Sequence, residues 1–149
     1  MATGSTYSFI DVSASMVGPG ISTSLASEAA AAEEGITISL ANPKNNLTTG
    51  ASGDWMHSLH AANSGSVTVR LLKTSPVNAK LMIAYNAQRI SSSLWGKSTI
   101  TVAQNVSGDK TVCNGVAFRQ APDLEYATDG GTVTWTFDVG EIIEYLGKY

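Results

Sequence analysis

The stretch "GDWMHSLH" places Asp54, His57 and His60 within seven residues, a set that could supply three ligands to a zinc ion. The spacing argues against it. Zinc hydrolases carry two His four apart on a helix with a Glu between them, and here the His are three apart with no Glu. Trp55 and Met56 stand beside them, and exposed aromatics and Met are enriched where protein surfaces meet. A subunit contact is therefore the preferred role for Asp54, Trp55, Met56, His57 and His60, and no metal is expected. Other catalytic constellations fare worse. Serines abound, but no Gly-x-Ser-x-Gly elbow is present. "VGPG" and "DGG" are glycine turns, not phosphate cradles before a helix. Glu33 and Glu34 read as a solvated loop end. "NLT" and "NVS" match the glycosylation pattern, but no secretion signal accompanies them. Arg70 and Arg89 read as surface cations. The chain is not expected to be an enzyme or to hold a cofactor.

The elements that would carry these residues are mostly strands. "ITISL", "SVTVRL", "TITV" and "TVTWTFD" alternate apolar and polar residues, the mark of half-buried strands. Their polar faces carry Thr37, Thr68, Arg70, Thr99, Thr101, Thr132, Thr134 and Thr136. Weaker strands are "TYSFIDVSASM" and Lys110 to Phe118, the latter after a turn at Ser107 to Asp109. "EIIEYLG" is a final turn or a last strand. One helix is expected over 76–90, with Ser75 as N-cap, Pro76 in the first position and Val77, Leu81, Met82 and Tyr85 as its apolar stripe. Val17 to Gly35 reads as a loop or a short Ala-rich helix. Residues 41–65 form a long central loop, or a hairpin if Leu47 to Thr49 is a strand; loops of this length tend to be functional or ordered by a partner. The whole is a single domain, 1–149, mainly β: a sandwich or barrel with one flanking helix.

Composition narrows the function. Of 149 residues only 14% are charged, with net charge −3, against roughly 25% charged in an average domain. A surface so poor in charge suits a protein covered by its own copies. No Lys/Arg cluster supports tight nucleic-acid binding. The single Cys113 lies in an apolar context and reads as a buried residue. The opening residues do not read as a signal peptide, and no stretch approaches the ~18 apolar residues of a membrane span.

Several segments together, "STYSFIDVSASMVGPG", "AAEEGITISL", "MHSLHAANSGSVTVRLLKTSPVNAKL", "SSSLWGKSTITV" and "DGGTVTWTF", resemble the tail tube proteins of contractile-tailed bacteriophages, over nearly the whole chain. The resemblance implies a virion structural subunit, made in the host cytoplasm, that forms homo-hexameric rings stacked into a hollow tube. It implies as partners a tail sheath protein, a tape-measure protein, baseplate and tail terminator proteins, and DNA only in transit through the lumen. The long loop would then reach a neighbouring subunit through Lys44, Asn46, Leu47, Asp54, Trp55, Met56, His57 and His60. Thr68, Arg70, Thr99, Thr101, Thr132, Thr134 and Thr136 become lumen-face candidates. The alternatives are the tube of a phage-derived bacteriocin or type VI-like particle, a monomeric ligand-binding sandwich using Trp55 or Trp95, and a hydrolase on Asp54, His57 and His60.

Overall fold

The computed structural model describes residues 4–25 and 31–149, and the side chains of all of these except 31–34. Each alternating segment is a strand. In chain order they are β1 (Val12–Gly18), β2 (Ile21–Ser24), β3 (Ala31–Leu40), β4 (Asn45–Thr49), β5 (Trp55–Leu59), β6 (Gly65–Leu72), β7 (Ser98–Gln104), β8 (Asp109–Phe118) and β9 (Thr132–Tyr145), with one helix, α1 (Val77–Gln88), between β6 and β7. Seven strands make one sheet in the order β2-β1-β7-β8-β9-β6-β3; β4 and β5 form a separate hairpin. Every pairing is antiparallel.

The sheet rolls up around its own apolar face. Its buried residues come from almost every strand: Met16, Ile21, Val67, Val69, Leu71, Ile100, Cys113, Phe118, Trp135, Phe137 and Ile142 among them. A helix of 12 residues is about 18 Å long, and a seven-stranded sheet is roughly 29 Å wide, so α1 alone cannot cover that face. The opposite halves cover one another. Phe9, in the 3-10 turn Phe9–Asp11 that leads into β1, packs its ring over Gly35 in β3, although β1 and β3 stand second and seventh in the sheet. Gly35 has φ +61 and a Cβ there would lie 3.0 Å from the ring. Gly35→Ala is therefore expected to lower stability by about 2 kcal/mol, from the left-handed backbone and the displaced ring together; urea unfolding measures it. The sharpest departure from alternation lies where Gly115 (φ 64) faces Gly140 across β8 and β9. Val116 and Val139 point inward on one side of this pair, and so do Cys113 and Ile142 on the other. The β7–β8 register shifts by one residue beside Gly115, a bulge on β8, while the β8–β9 register runs on unbroken, so the two strands break alternation together and the core face stays inward.

The helix seals the roll. Pro76 holds the N-cap position, one residue later than the sequence suggests for the cap, and Ser75 Oγ, just before it, accepts the Val77 N–H at 3.3 Å. Leu81, Ala84 and Gln88 are buried, and Val77, Met82 and Tyr85 are partly so. The Gln88 amide donates to the Pro19 carbonyl at 2.9 Å and to Ser98 Oγ at 3.3 Å, and Trp135 Nε1 donates to Asn78 Oδ1 at 3.0 Å. One end of α1 is thus tied to β9 and the other to the β1–β2 turn. Around Phe118, the rings of Tyr85, Trp95, Trp135 and Phe137 lie with centroids at 5.6, 6.5, 5.8 and 5.0 Å.

Two segments differ from the sequence reading. Ile21–Ser24 and Ala31–Leu40 are strands, not a loop or Ala-rich helix; the part of that segment over 26–30 lies outside the described residues. Ala and Glu favour helices in isolation, but pairing along β6 and the neighbouring Ile36 and Ile38 override so weak a local preference. Of the two readings of "EIIEYLG", the strand holds: its first five residues continue β9, which runs for 14 residues and ends at Tyr145.

Candidate assembly surfaces

The pairing gives the body two poles. At the lower pole lie the ends of β3 (Leu40) and β7 (Gln104), the start of β6 (Gly65) and the end of β9. At the upper pole lie the β1–β2 turn, the end of β6 (Leu72), all of α1, and residues 119–131 between β8 and β9.

The β4–β5 hairpin leaves the lower pole. Cross-strand partners share a face, so the register Leu47↔His57, Thr49↔Trp55 and Asn45↔Leu59 gathers Leu47, Trp55, Leu59, His57, Asn45 and Thr49 on one side. Asn46, Thr48, Met56 and Ser58 occupy the other. The first side holds three large apolar groups, and none is covered: Trp55 is 71% and Leu59 85% exposed. All the hairpin's strand residues are exposed except Ser58, which is partly buried. Its own bonds make it rigid. Lys44 Nζ donates to the His60 carbonyl at 3.1 Å, the His60 N–H donates to the Lys44 carbonyl, Asn45 Nδ2 lies 3.1 Å from His57 Nδ1, and Ser52 Oγ donates to Asp54 Oδ2. The long central segment is therefore a hairpin, an ordered arm with an amphipathic surface.

Asp54, His57 and His60 stay near one another in sequence only. Their backbone is extended, where positions three apart face opposite ways. Among the described residues no three His, Cys, Asp or Glu side chains converge. Trp95 packs on Tyr85 at 6.2 Å and on Phe118, so of the two tryptophans offered to a ligand only Trp55 stands free.

The lumen-face candidates divide. Thr68 pairs with Thr136, Arg70 with Thr134 and Leu72 with Thr132, and Thr37 lies beside Thr68, so these make one hydroxyl-rich patch on the outer face of β3, β6 and β9. Arg70 Nη1 reaches Thr37 Oγ1 at 3.4 Å. At the margin Arg119 donates twice to Asp138 Oδ1, at 2.9 and 2.7 Å. A cleft of about 300 Å³ beside Thr132, Thr134 and Thr136 is bordered by Asp123 and Glu125. Thr99 and Thr101 lie on β7, opposite Val17 and Ser15, in the other half of the roll. Sequence alone had no means to separate the two groups, because the separation depends on strand order.

Among the described residues the sheet ends at β2 and β3, and unpaired strand edges invite pairing with another chain. The thiol of Cys113 is sealed inside. Burial, and secondarily the Glu144 carboxylate, push its pKa from 9.0 to about 11. A pKa raised on folding contributes stability that is whole below pH 9 and fades as pH rises from 9 through 11. Cys113→Ala should remove roughly 2–3 kcal/mol of that alkaline loss, read from urea midpoints across the range. At neutral pH the native protein should resist thiol reagents until denatured.

No curated protein matches the sequence. Solved structures do, at the level of fold. The chain resembles a subunit in the sheath/tube terminator of an extracellular contractile injection system in its extended state (TM-score 0.63, 14% identity, 97% of this chain and 99% of that one). It also resembles a subunit of that system's sheath–tube complex (0.57, 15%, 89% and 88%) and one in the baseplate of the anti-feeding prophage (0.56, 11%, 97% and 97%). A family model described as the bacteriophage PhiTE tail tube protein matches residues 4–147. The rolled antiparallel sheet with one sealing helix, the uncovered arm and a match over almost the full length lead to one conclusion: the chain belongs to the bacteriophage PhiTE tail tube protein family, a structural component of phage tails and not an enzyme.

Proposed function

We propose that this chain is the repeating subunit of the tube, closing as homo-hexameric rings that stack into a hollow conduit through which the genome leaves. The observation that carries this reading is the β4–β5 arm: a rigid hairpin with Leu47, Trp55 and Leu59 uncovered on one side has no use in a solitary molecule and a clear one against a copy. The edges at β2 and β3 lie at opposite ends of the strand order, as needed for a head-to-tail contact that closes into a ring at the right rotation. The hydroxyl patch of Thr37, Thr68, Thr132, Thr134 and Thr136 supports a lumen lining. Hydroxyls hydrate a passing phosphate backbone, whereas each Lys or Arg on a phosphate adds binding that slows it. On this reading the sheath packs outside, a tape-measure protein fills the lumen during assembly, the baseplate starts the stack and a terminator ends it. Assembly takes place in the host cytoplasm.

Negative-stain microscopy of the concentrated protein tests the proposal. Six-fold rings or tubes are expected. Isolated particles at every concentration, with no incorporation onto tails already begun on a baseplate, would sink it. Thr134→Lys with Thr136→Lys should leave tube shape unchanged and lower infectivity at least about tenfold, because two cations recur in every subunit along the path; full infectivity removes these threonines from the lumen. The likeness to parts of an extracellular contractile injection system favours a second reading, the tube of an injection particle that carries protein or no cargo. DNA-filled heads on the particles of producing cells decide between the two.

A further inference from the structure

The arm needs a receptor, and the body offers one. At the upper pole a cleft of about 350 Å³ opens between the first turns of α1 and residues 119–131. Trp135 forms its floor, Ala79 and Met82 one wall, Leu124 and Tyr126 the other, and Lys73 stands at the rim. The outer wall is uncovered: Leu124 is 54% and Tyr126 82% exposed. Residues 119–131 are fastened in place, since the Lys73 N–H donates to the Gly131 carbonyl at 3.1 Å and Lys73 Nζ sits 4.1 Å above the Tyr126 ring.

We infer that this cleft receives the β4–β5 arm of another copy, with Trp55 as the anchor. The inference rests on the stacking proposed above. A subunit cannot fill its own cleft: the arm leaves the lower pole and the cleft lies at the upper pole, separated by the length of β6, eight residues or about 27 Å. A contact between opposite poles of identical chains is head-to-tail and leads to an open stack. The chemistry matches. Trp55 is rigid and large, and Met82 is a pliant wall for it. Asp54 adjoins Trp55, and Lys73 is the cation on the cleft lining, so the arm's acid meets the rim's base. Tyr126 already holds Lys73 over its ring and, largely exposed, offers aromatic surface to the indole.

Cross-linking tests the pairing. Thr49 lies opposite Trp55 on the arm's apolar side, Ala79 is exposed on the cleft wall, and the native thiol is buried. In assembled Thr49→Cys/Ala79→Cys protein, a short bismaleimide should produce a ladder of covalent oligomers that neither single variant gives. Assembled double variant without a ladder overturns the site. Wild-type protein gives a second readout that needs no substitution. Hydroxyl-radical oxidation of Trp55, Tyr126 and Met82 should slow together by about tenfold in tubes relative to dispersed subunits. Protection of Trp55 with Tyr126 and Met82 unchanged overturns the cleft but leaves the tube reading standing. Wild-type protein that never forms tubes removes both.

Discussion

Replacing residues 43–61 with a short Gly-Ser link is expected to abolish tube growth and leave the body folded. The arm contributes nothing to the core: none of its residues belongs to the buried cluster or packs against it. The flanks that remain keep their own ties: the Ala41 N–H donates to the Ser64 carbonyl and the Ile142 N–H to the Asn63 carbonyl. Closing a shorter loop in its place changes folding entropy by less than about 1 kcal/mol. The melting temperature should therefore move by only a few degrees, and far-ultraviolet dichroism should keep its β signature. Assembly is another matter. Burying a large apolar side chain contributes about 1.5–3 kcal/mol, and the arm offers Leu47, Trp55 and Leu59 in every subunit. Even if ordering costs take half of that, the critical concentration for growth should rise by roughly 40-fold to 1,600-fold, since each 1.4 kcal/mol is tenfold. Sedimentation of assembled material against concentration measures it. Tubes of ordinary length at ordinary concentration would remove the arm from the assembly mechanism. Trp55→Ala alone should reproduce a smaller part of the effect, about tenfold to a hundredfold.

The second large effect is on stability. Phe118 is 2% exposed and touches the rings of Tyr85, Trp95, Trp135 and Phe137. It stands at the end of β8, where the helix, the segment after it and β9 converge. Phe118→Ala should cost about 3–5 kcal/mol, because the surrounding rings are held by three separate elements and cannot collapse into the gap together. For a domain of this size that lowers the melting temperature by roughly 8–16 °C. Calorimetry reads the shift, and near-ultraviolet dichroism reads the loosened rings. A change of less than about 1 kcal/mol would mean that the cluster repacks freely and is not the keystone of the roll. Phe118→Leu, which keeps most of the volume, should recover more than half of the loss.

Much of this was legible in the residues. "ITISL", "SVTVRL", "TITV" and "TVTWTF" alternate because each lies with one side on the core, and all four are strands. Ser75 and Pro76 mark the start of α1 to within a residue. What escaped has physical reasons. The strand β5 reads Trp-Met-His-Ser-Leu, with His57 on the apolar side and Met56 on the other, so no clean period appears. An element that packs on no part of its own core is not patterned by it. Ala31–Leu40 begins with residues of good helix propensity, and only its pairing along β6 reveals the strand. The division of the threonines between two outward faces, and the meeting of Phe9 with Gly35, follow from strand order and bending at Gly115 and Gly140. These are long-range properties, invisible to local pattern.

The arm and the pole that would receive it are different surfaces on opposite ends of one chain. A stack built from such units looks the same at its growing tip after every addition. The subunit thus holds no ruler: nothing in its shape distinguishes the tenth layer from the hundredth. Whatever fixes how far the stack extends must be supplied by a molecule of another kind.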